Sequence, residues 1–227
     1  TGNGGITFNQ TGNSKNAIVN GLSYEGGYSG IISGTGTVTK TGVGTMVVSG
    51  QSTYTGATTI SEGTLKIGRN GAAGISSAIG LNSALTIASG AILNVDTYAT
   101  QVGQLTGSGS IVLGDRITGA SPALSIGGGT LAGDSSNFFG SISGSQNIGL
   151  TKIGDGTQTL SGLSSYVGRT TVNAGTLKLG RTSEGTSSAI GSSTYDVTIG
   201  AAGTLDLNGY SPASGKSLVI NGGTLLN

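Results

Sequence analysis

Residues 39–69 and 151–181 are two versions of one stretch. TKTGVGTMVVSGQSTYTGATTISEGTLKIGR and TKIGDGTQTLSGLSSYVGRTTVNAGTLKLGR agree at 18 of 31 positions at a shift of 112. The flanks correspond too. Ser76-Ser77-Ala78-Ile79-Gly80 recurs as Ser187-Ser188-Ala189-Ile190-Gly191, and Leu93-Asn94-Val95-Asp96 aligns with Leu205-Asp206-Leu207-Asn208. Long-range self-similarity of this kind is the mark of repeat architectures, in which each unit buries its apolar face against the next. The chain reads as one continuous unit over 1–227, with internal modules at approximately 28–115 and 138–227 and no linker between them.

Within each module the apolar residues alternate over very short runs. Examples are Thr45-Met46-Val47-Val48, Thr58-Thr59-Ile60 and Thr64-Leu65-Lys66-Ile67, each bounded by Gly, Ser or Asn. Alternation over three to five residues predicts strands with one face buried. No helical period of useful length occurs. Asn20-Gly21, Asn70-Gly71, Asn208-Gly209 and Asn221-Gly222 supply turns. Short strands could build a sandwich, a barrel or a solenoid, and the long-range repeat favours the solenoid. The expected fold is all-β, a right-handed parallel β-helix. At about 20–25 residues per coil it would have roughly ten coils, a rod on the order of 45–50 Å long. Val38, Val48, Ile60, Leu65 and Ile67 are expected to point inward, as are Leu150, Leu160, Val172, Leu177 and Leu179.

Composition removes whole classes of function. There is no Cys and no His, so a disulfide scaffold, a thiolate or imidazole metal site and a Ser-His-Asp triad are all excluded. Charged residues are 8% of the chain and the net charge is +1, which leaves no electrostatic footprint for nucleic acid. With 46 Gly and 2 Pro at irregular spacing, collagen is excluded. No apolar run is long enough for a membrane-spanning helix, and no membrane insertion is expected. The N-terminus, Thr1-Gly2-Asn3-Gly4-Gly5, lacks the features of a signal peptide, which reads as a mature product or an excised piece.

The repeated stretch resembles the autotransporter-associated β-strand repeat, also called the passenger-associated transport repeat. The residues that carry the resemblance are Lys40/Lys152, Gly42/Gly154 with Gly44/Gly156, Ser49-Gly50/Ser161-Gly162, Tyr54/Tyr166, Gly56/Gly168 and Gly63-Thr64-Leu65/Gly175-Thr176-Leu177. The resemblance implies a right-handed β-helix exported to a bacterial surface, in proteins that often serve as adhesins or fibres. It associates the repeat with export rather than catalysis. The family's C-terminal membrane barrel is missing, which implies a passenger fragment or a differently exported relative.

Aspartates are the candidates for chemistry. Asp96, Asp115, Asp134 and Asp155 recur at nearly even spacing, close to one coil each. Two stacked carboxylates could do acid–base work on a glycosidic bond. The competing reading makes Gly114-Asp115, Gly133-Asp134 and Gly154-Asp155 turns. The module copy favours turns, because Asp155 corresponds to Val43 and Asp96 to Asn208. The paired cations Lys40/Lys152, Lys66/Lys178 and Arg69/Arg181 could form a stripe for anionic glycans, but read better as solvated outward positions. Tyr54 and Tyr166 could stack on sugar, but read better as packed over the next coil with the hydroxyl in water. Gly127-Gly128-Gly129 lacks the rest of a phosphate loop.

With what the resemblance implies, the expectation is a non-enzymatic, extracellular or cell-surface structural protein, an adhesin shaft or fibre building block without cofactor. The rival readings are a polysaccharide-active enzyme and a glycan-binding module. Both ends read as ordinary coil strands without caps. Ile6 and Phe8 at one end, with Leu225 and Leu226 at the other, are the expected self-association residues, joining subunits head to tail or continuing a longer solenoid.

Overall fold

The computed structural model describes residues 5–9, 17–19, 22–24, 27–68, 78–96, 98–114, 124–127, 134–144, 148–192 and 194–227. No helix occurs among the described residues. The first strands are β1 (Ile6–Asn9), β2 (Ala17–Val19), β3 (Leu22–Tyr24), β4 (Val38–Thr41), β5 (Thr45–Val48), β6 (Thr58–Ile60) and β7 (Thr64–Ile67). Then come β8 (Leu85–Ile87), β9 (Ile92–Asp96), β10 (Thr100–Gln101), β11 (Leu105–Gly107), β12 (Ser110–Leu113), β13 (Leu124–Ile126) and β14 (Ser135–Phe138). The last are β15 (Ser141–Ser143), β16 (Leu150–Lys152), β17 (Thr157–Leu160), β18 (Thr170–Leu179), β19 (Val197–Asp206), β20 (Leu218–Asn221) and β21 (Thr224–Leu226).

All of these strands except β2 and β3 pair in parallel along three ladders, consistent with a β-solenoid. The first runs β1, β4, β6, β8, β11, β14, β17, the second halves of β18 and β19, and β21. The second runs β5, β7, β9, β12 and β15. The third runs β10, β13, β16, the first halves of β18 and β19, and β20. Along each strand burial alternates, as in β4, β5 and β7. All ten residues expected to point inward are at most 3% exposed. Aliphatic side chains fill the interior because β-branched and Leu residues stack well on a pleated surface.

The repeat is not stacked on itself. β4 lies on the first ladder, but its copy β16 lies on the third. β5 lies on the second ladder, and its copy β17 on the first. Register partners along the first ladder lead from Lys40 through Ile60, Ile87, Gly107 and Phe138 to Leu160. The repeat counterpart of Lys40 is Lys152, which the chain reaches before Leu160. The sequence shift therefore falls short of a whole number of coils, and the second copy is displaced by one face.

The two ends differ. β1 is not the outermost strand. Its outer edge pairs antiparallel with β2, and β2 pairs antiparallel with β3. Phe8 is fully buried and Ile6 is half-buried. At the other end Leu225 and Leu226 are 37% and 47% exposed.

Candidate functional site

The most unusual chemistry lies inside. Lys40 and Lys152 are 0% and 1% exposed, which corrects their reading as solvated cations. Lys40 follows Val38 by two residues and Lys152 follows Leu150 by two, so strand alternation turns both into the interior with their apolar neighbours. The Lys40 ammonium donates to the carbonyls of Thr41, Gly42 and Glu62, at 2.8, 2.6 and 3.2 Å. Lys152 repeats this at Ile153, Gly154 and Ala174, at 2.7, 2.6 and 3.2 Å. Each amine thus ties its own turn to the backbone of the next coil, satisfying carbonyls that the ladders leave over. Gly42 and Gly154 make this turn at φ 74° and 68°. Gly63 and Gly175 fit over it, with the backbone so close that a Cβ on Gly63 would sit 2.5 Å from the Gly42 and Gly44 oxygens.

Tyr54 and Tyr166 are also interior, at 3% and 0% exposure, and their hydroxyls are not in water. Each bonds a threonine four residues on, Thr58 at 2.5 Å and Thr170 at 2.6 Å. Burial raises both tyrosine pKa values. It lowers Lys40, Lys152 and Lys216 to about 8, against the opposing pull of Glu62, Asp155 and Asp196. Above about pH 8 the folded lysines lose protons that the unfolded chain retains up to its ordinary value of 10.5, so stability rises with pH in that window. Above the ordinary tyrosine value of 10.0 the sign reverses, because the unfolded tyrosines ionise and the buried ones do not. The urea midpoint should therefore be higher at about pH 9.5 than at pH 7, and fall again above about pH 10.5. A midpoint that declines steadily from pH 7 would contradict this assignment.

Lys66, Lys178 and Arg181 are outward and paired. Lys66 meets Asp96 and Lys178 meets Asp206, each at 3.0 Å. The carboxylate changes place between copies. In the first, Asn94 accepts from the Asp96 amide and Asp96 holds the lysine. In the second, Asp206 accepts from the Asn208 amide and itself holds the lysine. Asp96 and Asn208 share a φ of 51°, so the turn keeps its shape while the charge moves by two residues. Arg181 pairs with Glu184 in an exposed turn. Arg69 lies outside the described residues.

Among the described aspartates of the series, Asp134 and Asp155 lead into the paired strands β14 and β17, and Asp96 ends β9 on the second ladder. Asp96 is committed to Lys66, Asp155 is exposed at the turn after β16, and Asp134 offers its backbone carbonyl to Thr157. Asp115 lies outside the described residues, as do Gly128 and Gly129. Among the described residues no three acidic side chains gather as a metal site would require. An open groove of about 550 Å³ is lined by Gln51, Ser52, Thr53, Tyr54, Thr55, Leu81 and Asn82. None of these carries a carboxylate or an amine, so the groove offers neutral hydrogen-bonding groups and no acid–base pair. A shallower one of about 240 Å³ has a single carboxylate, that of Asp96.

Sequence reasoning missed Gln158. It is 1% exposed and stands where the first copy has Met46. Its side chain accepts from the Leu105 amide at 3.1 Å and donates to the Leu105 carbonyl at 2.9 Å. β14 meets β11 only at Gly107, and the Gln158 amide stands in for the strand residue that would have paired with Leu105. Polar character at an inward position of the alternation was the available signal.

Residues 38–67, 150–179 and 202–226 match the family model described as Passenger-associated-transport-repeat. The chain carries passenger-associated-transport repeats. The third repeat was not foreseen. It starts after the position of the buried lysine, where Ile199 stands on the same ladder as Lys152. Its strands β19 and β21 lie on the first ladder with β17 and β18, so the second and third repeats keep one face. The chain is similar to the Adhesin BmaC autotransporter of Brucella suis biovar 1 (strain 1330), with 34% identity over 199 residues. That match covers 87% of this chain and 5% of the adhesin, so the repeats here span a small part of the curated relative. No solved structure matches. No helix among the described residues is long and apolar enough to cross a membrane.

Proposed function

We propose that the chain is a shaft segment of an exported bacterial surface adhesin, a right-handed solenoid of roughly ten coils that works as a spacer. The observation that carries this reading is the threefold passenger repeat on continuous parallel ladders. Several of its polar groups are spent internally: Lys40 and Lys152 on carbonyls, Tyr54 and Tyr166 on threonines, Lys66 and Lys178 on single carboxylates. Such a surface has little left with which to act on a substrate. The similarity to an autotransporter adhesin supports placement outside the cell, at the bacterial surface.

The purified chain should bind no glycan or matrix protein saturably and should cleave no acidic polysaccharide. A passenger that carries it as an insert should still reach the surface and resist protease there. Saturable glycan binding lost on substituting Asn82 in the open groove would make the segment a binding module. Polysaccharide cleavage lost in Asp134→Asn would make it an enzyme.

A further inference from the structure

One inward column of the first ladder is aliphatic on both sides of a polar step. Register partners lead from Leu85 to Leu105, and from Gln158 through Leu177 to Leu205. Between them stands Ser136, the partner of Gln158. β11 and β14 share the single pair Gly107 and Phe138, so the pairing stops two residues short of Leu105 and Ser136. The chain from Gly107 to Phe138 is also the longest step on this ladder beyond β4. Pairing so short specifies register poorly. A shift by two residues keeps every side chain on its own face, so burial alone does not forbid it.

We propose that Gln158 is a register pin, whose side-chain amide fixes how the coil of β14 and β15 sits over the coil of β11 and β12. Its bonds to the Leu105 amide and carbonyl reach past β14. Its oxygen also accepts from the Ser136 hydroxyl at 2.7 Å, and its nitrogen donates to the Thr159 carbonyl at 3.1 Å. Two donors and two acceptors surround the amide, which sets its orientation and leaves it fully satisfied. A shifted coil would break these bonds and strand both the Gln158 amide and the Leu105 peptide group inside, which costs more than an ordinary hydrogen bond contributes. Buried polar groups that specify register act in this way. The other repeats supply the comparison. The Gly-Thr pattern places Met46 and Leu205 at this position. The strand of Met46 runs in unbroken register with β7, and that of Leu205 pairs with β18 from Thr204 to Asp206. Of the three repeats, the polar residue stands in the one whose coil lies beside the interrupted pairing. The inference rests on pairing and hydrogen bonds and does not depend on the adhesin reading.

The test reads register on the second ladder, away from Gln158. Ser110 and Ser141 are partners there, and Ser143 is the partner of Val112. In the chain, which has no cysteine of its own, Ser110→Cys with Ser141→Cys should crosslink, and Ser110→Cys with Ser143→Cys should not, because diagonal neighbours lie beyond disulfide reach. With Gln158→Met added, the offset pair should begin to crosslink. The Leu105 amide should then exchange about tenfold faster or more. The Leu150 amide, bonded to the Arg169 carbonyl, should exchange as before. Gln158→Glu keeps an acceptor for the Leu105 amide but no donor for its carbonyl. It should give the offset crosslink at lower yield, and it decides alone if the methionine variant does not fold. Native protection of Leu105 in Gln158→Met would overturn the pin. Crosslinking confined to Ser110 and Ser141 in both variants would overturn its hold on register.

Discussion

Lys152→Met should lower the stability of the surrounding coils by about 3 kcal/mol or more. Methionine fills similar volume but donates nothing, and three partly buried carbonyls lose their partner: those of Ile153, Gly154 and Ala174. Lys40→Met should do the same through Thr41, Gly42 and Glu62. Lys178→Met is the internal comparison. Its ion pair with Asp206 is partly exposed, and such pairs contribute about 0–1 kcal/mol. Urea unfolding together with hydrogen exchange of β16–β18 checks this. Equal, small effects for Lys152 and Lys178 would restore the outward reading of both lysines.

Gly162→Ala should be similarly damaging, by about 3 kcal/mol. The added methyl would land inside the carbonyl oxygen of Gly140, which itself stacks on the carbonyl of Gly109. Gly50 repeats this relation over Gly30. The obstacle is backbone, which cannot swing aside as a side chain can, so the coils must separate or the turn must open. Gly90→Ala gives the contrast. Its φ of 80° costs an L-residue about 1–2 kcal/mol, but nothing lies within 4 Å of the new methyl. A Gly162→Ala protein as stable as Gly90→Ala would mean that the coils are not packed this closely at the corner.

These two predictions mark what could and could not be read in advance. Strand alternation and the long-range repeat were enough for parallel short strands, and for the inward set from Val38 to Leu179. The same alternation turns Lys40 and Lys152 inward, yet charge argued the other way. The competing fact was the left-handed turn that follows, whose two carbonyls, with a third from the next coil, give a buried ammonium three acceptors. A single sequence shows the Lys-x-Gly-x-Gly spacing but not where those carbonyls point. Tyr54 and Tyr166 failed for a related reason: Thr58 and Thr170 lie past the turn, and only the bend of the chain brings them to the hydroxyl. The displacement of the second repeat by one face follows from coils of unequal length. Between the two copies, along the first ladder, the step from Leu85 to Leu105 is short and that from Gly107 to Phe138 is long. The hairpin outside β1 was hidden because its strands carry the same short alternating pattern as coil strands, and pairing polarity leaves no trace in composition. For the candidate site, the even spacing of the aspartates was real but brought only two of them to one corner: Asp134 and Asp155 lead into the paired strands β14 and β17, whereas Asp96 ends β9 on the second ladder.

The central claim, parallel ladders with the second repeat displaced by one face, is tested most directly by crosslinking paired cysteines in a chain that has none of its own. Thr86 and Thr106 are register partners on the first ladder with hydroxyl oxygens 2.9 Å apart, and Thr151 and Thr171 are register partners on the third. Both pairs, replaced by cysteine, should crosslink in the folded chain, since partners on adjacent strands meet the separation a disulfide needs. A third pair reports the displacement itself: Asn137 and Thr159 are partners on the first ladder, which places the second repeat's β17 where the first repeat's β5 never lies. The account predicts efficient crosslinking of all three pairs and none after unfolding. Failure of the Asn137/Thr159 pair while the other two crosslink would contradict the displacement, and failure of all three would contradict the parallel ladders themselves.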